Sequence, residues 1–147
     1  MKNTILIKET NFEKARKKIR ESKAQIIFSS DDDELNRKIL EKEKINILLL
    51  NQKNRKDFSK QRNSGLNQVM AKIAKKNNIA IGINLDEILN SKPKEKSDIL
   101  GRIRQNIKLC NKSKLEMIFI GRKKSPYDLK ALGLVLGMPT FMIKNFN

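Results

Sequence analysis

Histidine and tryptophan are absent from this sequence, and cysteine and tyrosine occur once each among 147 residues. Without histidine the chain lacks the usual general base at neutral pH, the commonest metal ligand and every Ser-His or Cys-His nucleophile pair. We therefore do not expect the chain to catalyse a reaction alone. It is assigned no catalytic residue, no metal site and no cofactor of its own.

Disulfides and long apolar runs are also missing. Cys110 is the single cysteine, so no internal disulfide can form, which fits a reducing compartment. No apolar run approaches the roughly 20 residues of a membrane span, and the first residues lack the apolar stretch of a secretory signal. We expect a cytoplasmic protein with no membrane partner and a single domain over residues 1–147.

Acidic residues are scarce, above all toward the end of the chain. The formal net charge is +17, from 33 basic and 16 acidic residues. Residues 1–50 carry 12 basic and 9 acidic groups, residues 51–100 carry 11 and 5, and residues 101–147 carry 10 and 2. An AT-rich genome enriches lysine, but it does not deplete acids toward one end. The charge indicates a nucleic-acid partner bound through phosphates.

Aromatic residues make up only 5% of the chain, and Tyr127 is the single tyrosine. Proteins that read single strands base by base stack the bases on aromatic side chains. Their scarcity argues against that mode and favours recognition of the shape and backbone of a folded RNA.

Short β-rich apolar runs alternate with helical patterns, which predicts an α/β fold around a mostly parallel sheet. The predicted strands are 4–8, 25–29, 45–50, 79–84 and 116–121. Helices are predicted between them, with polar loops at 51–63 and 90–96 and one further helical turn in the tail 140–147. Five βα units are too few for a closed eight-stranded barrel, so the sheet is open or completed by a partner.

Several residues predict where helices begin and end. Thr10 and Glu13 have the spacing of a capping box, and Ser64 and Ser125 are candidate N-caps. Gly137 is the predicted left-handed C-terminal stop of the helix that follows Ser125.

Two acidic clusters could attract a metal ion. Asp31-Asp32-Asp33 precedes a predicted helix, where complementarity to the helix dipole explains the charges better than Mg²⁺ binding does. Asp86-Glu87 follows the fourth predicted strand and more simply caps the next turn.

The most distinctive motif is Gln61-Arg62-Asn63-Ser64-Gly65-Leu66-Asn67-Gln68-Val69, followed by Ala71 and Ala74. Physical reasoning alone leaves open a capped helix with an incidental arginine. The stretch resembles the R-x-S-G-L-N-x-V, A-x-x-A motif of the ribonuclease P protein component 3 family of archaea and eukaryotes. Further blocks resemble that family in the same order, at residues 34–37 with 45–48, 79–85, 103–110, and 124–133 with 136–138.

The resemblance implies a TIM-barrel-like, PHP-like parallel sheet with alternating helices, here as an incomplete or open barrel. The chain starts after the family's first strand–helix segment, so about a fifth of the usual domain is expected to be absent. Asn63 stands where the family commonly has an acidic residue, and Gln68 where it has histidine.

The resemblance also implies a role as a protein subunit of ribonuclease P, which removes 5′ leaders from precursor tRNA. The catalytic RNA supplies the active site and requires Mg²⁺, while the protein binds and stabilises that RNA. The implied partners are ribonuclease P RNA, precursor tRNA, component 2 by direct contact, components 1 and 4, and a kink-turn-binding ribosomal protein.

The RNA-contacting residues are expected among basic and polar groups at strand ends, helix starts and one helix face. These candidates are Arg62, Asn63, Ser64, Arg102, Arg104, Lys108, Arg122, Lys123 and Lys124. Two alternatives stay open: a generic RNA-binding α/β domain, and a stand-alone metal-dependent phosphoesterase, because such enzymes share the family's barrel.

Overall fold

One sheet of five parallel strands organises the fold, and its strand order follows the order of the chain. The computed structural model describes residues 3–144 and 146. The strands are β1 (Thr4–Lys8), β2 (Gln25–Ser29), β3 (Ile47–Leu50), β4 (Ala80–Asn84) and β5 (Met117–Ile120). Within the described residues β1 and β5 are the two edges of the sheet, so the predicted open α/β architecture is confirmed.

Seven helices connect or follow the strands in the described part of the chain. They are α1 (Phe12–Glu21), α2 (Asp33–Lys42), α3 (Gln68–Lys76), α4 (Leu85–Asn90), α5 (Pro93–Lys112), α6 (Pro126–Leu136) and α7 (Thr140–Ile143). Helices α1, α2, α3, α5 and α6 each pack on the next in that series. None of the described helices is both long and apolar enough to cross a membrane.

The main core lies between the sheet and these helices. Phe28, Leu48 and Ile81 occupy the centre of this layer and are completely buried. On the opposite face of the sheet, a smaller cluster is centred on Ile47 and Leu49. Strands that are buried on both faces have continuous apolar runs in their sequences, and β2 and β3 follow this rule. Edge strand β1 does not, since four of its five residues are exposed.

Two helix starts differ from the sequence prediction. Asn11 rather than Thr10 caps α1, and Asn67 rather than Ser64 caps α3. Each asparagine side chain accepts a hydrogen bond from the backbone N–H three residues further on. Several residues near each junction have the chemistry of a cap, so local sequence alone does not select among them.

Helix α6 begins and ends where the sequence predicts. The Ser125 hydroxyl accepts from the backbone N–H of Asp128, and Gly137 adopts a φ of 93° at the C-terminus. The predicted loop 90–96 is partly wrong, because α5 already begins at Pro93, whose fixed φ suits the first helical turn. Helix α7 confirms the helical turn in the tail, although Asn145 and Asn147 lie outside the described residues.

Candidate nucleic-acid interface

A long loop joins β3 to α3, and Arg102 of α5 holds its first half in place. This segment, residues 51–67, is named the β3–α3 loop. The Arg102 guanidinium donates to Asp57 Oδ1 at 2.9 Å, to Gln52 O at 2.8 Å and to Arg55 O at 2.8 Å. Arg102 is only 5% exposed, and each of its guanidinium nitrogens has an acceptor within the protein. The residue therefore organises the loop and presents no free nitrogen to a phosphate.

Asp57 is the counterpart of Arg102 in the loop. Besides Arg102, it accepts a hydrogen bond from the backbone N–H of Asn63 at 2.9 Å and pairs with Arg62 at 3.3 Å. Burial, the largest single influence, raises the pKa of Asp57, but the hydrogen bonds from Arg102 and Asn63 and the two nearby guanidinium charges together outweigh it. The pKa of Asp57 is therefore lowered. Its carboxylate is ionised wherever the fold is intact at neutral pH.

Hydrogen bonds at Ser64 hold the second half of the loop against α5. Its carbonyl oxygen accepts from Gln52 Nε2 at 2.9 Å and from Asn106 Nδ2 at 3.3 Å. Its hydroxyl accepts from Gln105 Nε2 at 3.1 Å, and the same amide nitrogen donates to Arg62 O at 2.8 Å. Ser64 is 1% exposed. Its role as an RNA contact is therefore incompatible with this structure, where it holds the loop against the helix.

Gly65 makes a close approach possible between the loop and α2. Its φ is 79°, and a Cβ atom there would lie 2.6 Å from Arg55 Nη2. The Arg55 guanidinium lies in this space and forms a bidentate ion pair with Asp33 of α2, at 2.8 and 2.9 Å. The glycine of the motif is thus required by backbone conformation and by side-chain space together.

Between α2, the β3–α3 loop and α5 lies an open groove of about 680 Å³, named the loop–helix groove. Its lining includes four of the predicted RNA-binding residues, namely Arg62, Asn63, Ser64 and Lys108. The groove also contains residues that sequence reasoning missed, above all Phe58 and Lys112. The spacing of Lys112 from Lys108, one helical turn, was the signal that could have found it.

The other predicted residues lie elsewhere. Arg104 is exposed on α5 and reaches toward the α6 backbone, with Nη2 at 3.5 Å from Val135 O. Arg122, Lys123 and Lys124 are exposed after β5, at the carboxyl end of the sheet. Arg102 does not line one helix face with the exposed Arg104 and Lys108 as predicted, because loop residues far away in sequence cover it.

The acidic clusters serve structural roles. Asp32 caps α2 by accepting from the N–H groups of Glu34 and Leu35, as the helix-dipole interpretation predicts. Glu87 accepts from two backbone N–H groups at the start of the β3–α3 loop, and Asp86 accepts from the N–H of Arg122 at 3.0 Å. Among the described residues, no three histidine, cysteine, aspartate or glutamate side chains are grouped so as to hold a metal ion.

These features define an open parallel α/β protein with a basic groove beside its sheet. No protein-family model matches the sequence. Three curated relatives, all ribonuclease P protein component 3, come from Methanosarcina mazei, Methanococcus maripaludis strain C7 and Methanothermobacter thermautotrophicus. The first is 33% identical over 114 residues, the second 29% over 129 residues and the third 26% over 117 residues. The matches cover 78%, 88% and 79% of this chain.

A solved structure agrees with these relatives. A chain in the cryo-EM structure of archaeal ribonuclease P with mature tRNA superposes with a TM-score of 0.83 and 27% identity, over 97% of this chain and 63% of that chain. The protein is a homologue of the ribonuclease P protein component 3 family, and the resemblance noted in its sequence is confirmed. It spans about half the length of the curated relatives it matches, 53% of the Methanococcus maripaludis protein and 45% of the Methanosarcina mazei protein.

Proposed function

We propose that this chain is a protein subunit of the ribonuclease P ribonucleoprotein and supports RNA-catalysed removal of 5′ leaders from precursor tRNA. The observation that carries the proposal is the structural match over 97% of the chain to a component of archaeal ribonuclease P. The net charge of +17 supports it, because a subunit packed against RNA must offset phosphate repulsion.

Within this function, the chain binds and stabilises the catalytic RNA and performs no chemistry itself. The RNA supplies the active site together with its Mg²⁺. The absence of histidine supports this division, since the sequence offers no imidazole to act as a general base. The resulting complex is an endoribonuclease of which this chain is an accessory part, and we propose that it works in the cytoplasm.

The RNA-contacting surface that we propose is narrower than the set derived from sequence. It keeps the exposed or half-exposed candidates Arg62, Asn63, Arg104 and Lys108 and the run 122–124. This surface leaves out Arg102 and Ser64. The Arg102 guanidinium is buried against the β3–α3 loop, and Ser64 is buried within that loop. We further propose, from the family resemblance, direct contact with component 2 and assembly with components 1 and 4 and a kink-turn-binding ribosomal protein.

Reconstitution tests this proposal. Cognate ribonuclease P RNA is combined with the candidate subunits, and precursor-tRNA cleavage is measured with and without this chain across a Mg²⁺ titration. We expect the chain to lower the Mg²⁺ concentration needed for half-maximal cleavage, because its cations replace part of the ionic neutralisation.

Identical cleavage with and without the chain at every Mg²⁺ concentration would contradict the proposal. RNA that copurifies with the chain provides a second readout. A single ribonuclease P-type species agrees with the proposal, whereas a heterogeneous mixture indicates a generic RNA-binding domain. Turnover of a simple phosphodiester by RNA-free protein with Mn²⁺ or Mg²⁺ would indicate a stand-alone phosphoesterase instead.

A further inference from the structure

The loop–helix groove has the dimensions of a small-ligand site and lies on the surface that the β3–α3 loop forms with α5. Its volume of about 680 Å³ falls within the range of clefts that hold small molecules or one or two nucleotides. The loop wall is rigid, because Arg102 and Asp57 fix its first half and Gln105 and Ser64 fix its second. Its side chains are therefore positioned before any ligand arrives.

Phe58 projects from this wall and is 57% exposed. All six phenylalanines of the chain are described, and the other five are buried or half-buried. An exposed phenylalanine in a polar loop contributes little to the core, but its ring offers a flat surface to a planar ligand. The low aromatic content argues against a series of stacked bases, and one ring is enough for a single base.

Lys108 and Lys112 lie on the α5 wall of the same groove, one helical turn apart, and both are exposed. Neither ammonium group forms an ion pair or a hydrogen bond with any residue the structure describes. Arg62, by contrast, is shared between Asp57 and Asp98 at 3.3 and 3.4 Å. The two lysines are thus the uncompensated cations of the groove, and phosphate oxygens are ligands of matching charge.

Gln68 adds a hydrogen-bonding group without a partner. Its Nε2 donates to Ser113 Oγ at 3.0 Å, while its Oε1 is buried and accepts no hydrogen bond from the residues that the structure describes. Gln68 also lines the groove. A buried acceptor without a partner is destabilising unless a ligand or water supplies a donor.

We propose that the loop–helix groove binds one unpaired nucleotide of RNA, whose base stacks on Phe58 and whose phosphate contacts Lys108 and Lys112. Gln68 then faces the edge of the base. The inference rests on the proposed function, since it assigns a nucleotide site within an RNA-binding subunit. It adds a contact to single-stranded RNA that the shape-and-backbone mode does not contain.

The test measures binding of a fluorescently labelled five-nucleotide RNA to the full chain by anisotropy, across a series of salt concentrations. Phe58→Ala is compared with Tyr127→Ala, which removes an aromatic ring that is 83% exposed outside the groove. We expect Phe58→Ala to weaken binding about 5- to 100-fold, as loss of one stacked base does, with an unchanged salt slope. Tyr127→Ala should bind as the parent chain does.

A second pair of variants tests the phosphate contacts. Lys108→Gln with Lys112→Gln removes two cations of the groove, and Lys14→Gln with Lys17→Gln removes two exposed cations of α1, outside the groove and outside the proposed RNA-contacting surface. Only the groove pair should lower the slope of log K against log salt for the five-nucleotide RNA, by about 1.4 for two contacts to a single strand. Circular dichroism confirms that each variant is folded.

The outcomes separate this inference from the proposed function. If ribonuclease P RNA binds but the short RNA does not, or if Phe58→Ala leaves the affinity for it unchanged, the nucleotide site is refuted and the subunit role stands. If an oligoglutamate peptide displaces the short RNA from the parent chain but not from the Lys108/Lys112 variant, the groove is a site for acidic protein segments instead. Failure of both RNAs to bind refutes the proposed function as well.

Discussion

Arg102 shows how a charged residue can be mistaken for a surface ligand at the scale of single residues. It lies on a helix rich in lysine and arginine, and its identity suggests phosphate binding. Its actual surroundings are Asp57 and two carbonyl groups of the β3–α3 loop. These partners lie 45 to 50 residues away in sequence, so no local pattern in α5 predicts its burial. The sequence does predict the exposed positions of Arg104 and Lys108 correctly.

We expect Arg102→Ala to destabilise the protein by about 3 kcal/mol, because it removes a buried ion pair with Asp57 and the donor to two loop carbonyl groups. Arg104→Ala is the matched control on the same helix. Its side chain is exposed, so its effect should stay within about 0.5 kcal/mol. Urea unfolding followed by circular dichroism measures both changes. Equal midpoints for the two variants would show that the buried arginine does not stabilise the fold.

At the scale of elements, the sequence predicts all five strands and both ends of α6. It does not predict conformations that depend on contacts between residues far apart in the chain. The strands are short apolar runs rich in isoleucine and leucine, so local composition alone finds them, including the largely exposed β1. The β3–α3 loop has no periodic pattern, and its conformation depends on side chains of α5. The predicted motif therefore locates the loop but does not reveal that Ser64 is buried or that Phe58 is exposed beside Lys108 and Lys112.

Acid should loosen the β3–α3 loop through Asp57. Because the pKa of Asp57 is lowered in the folded chain, its contribution to stability is complete above the unfolded value of about 4 and is lost as the pH falls through the folded value. Asp57→Asn should be less stable at pH 7 and should lose less further stability between pH 5 and pH 2.5. The free energy of unfolding in urea, measured at each pH, tests this.

Asp31→Asn is the control for this experiment, because Asp31 is exposed and lies outside the β3–α3 loop. Its stability should fall with acid in parallel with the parent chain. If Asp57→Asn also follows the parent curve throughout, protonation of Asp57 does not account for the acid sensitivity of the loop.

At the scale of the whole molecule, Cys110 reports whether the helical layer stays closed on the sheet. Its thiol is fully buried in the main core, and burial raises its pKa to about 12. We expect iodoacetamide at pH 8 to react at least ~10³-fold more slowly with the native protein than with the protein in urea, because reaction requires the core to open. Mass spectrometry of quenched samples gives both rates.

A single exposed thiol calibrates this measurement. Ser97 is exposed on the same helix, so Ser97→Cys in a Cys110→Ala background should react at nearly equal rates in buffer and in urea. Rapid native modification of Cys110 would mean that α5 detaches readily from the sheet.

The raised pKa of Cys110 also predicts how stability depends on pH. Because the fold favours the neutral thiol, the protein should lose stability above the unfolded pKa of about 8.5.

The strand order of the sheet bears on how such a protein can vary in length. Since β1 to β5 lie side by side in the order of the chain, the two edges of the sheet that the structure describes are its first and last strands. An additional strand–helix unit could pair with either edge strand without crossing any existing connection. This order therefore allows relatives about twice as long to add whole strand–helix units beside β1 or β5, away from the β3–α3 loop.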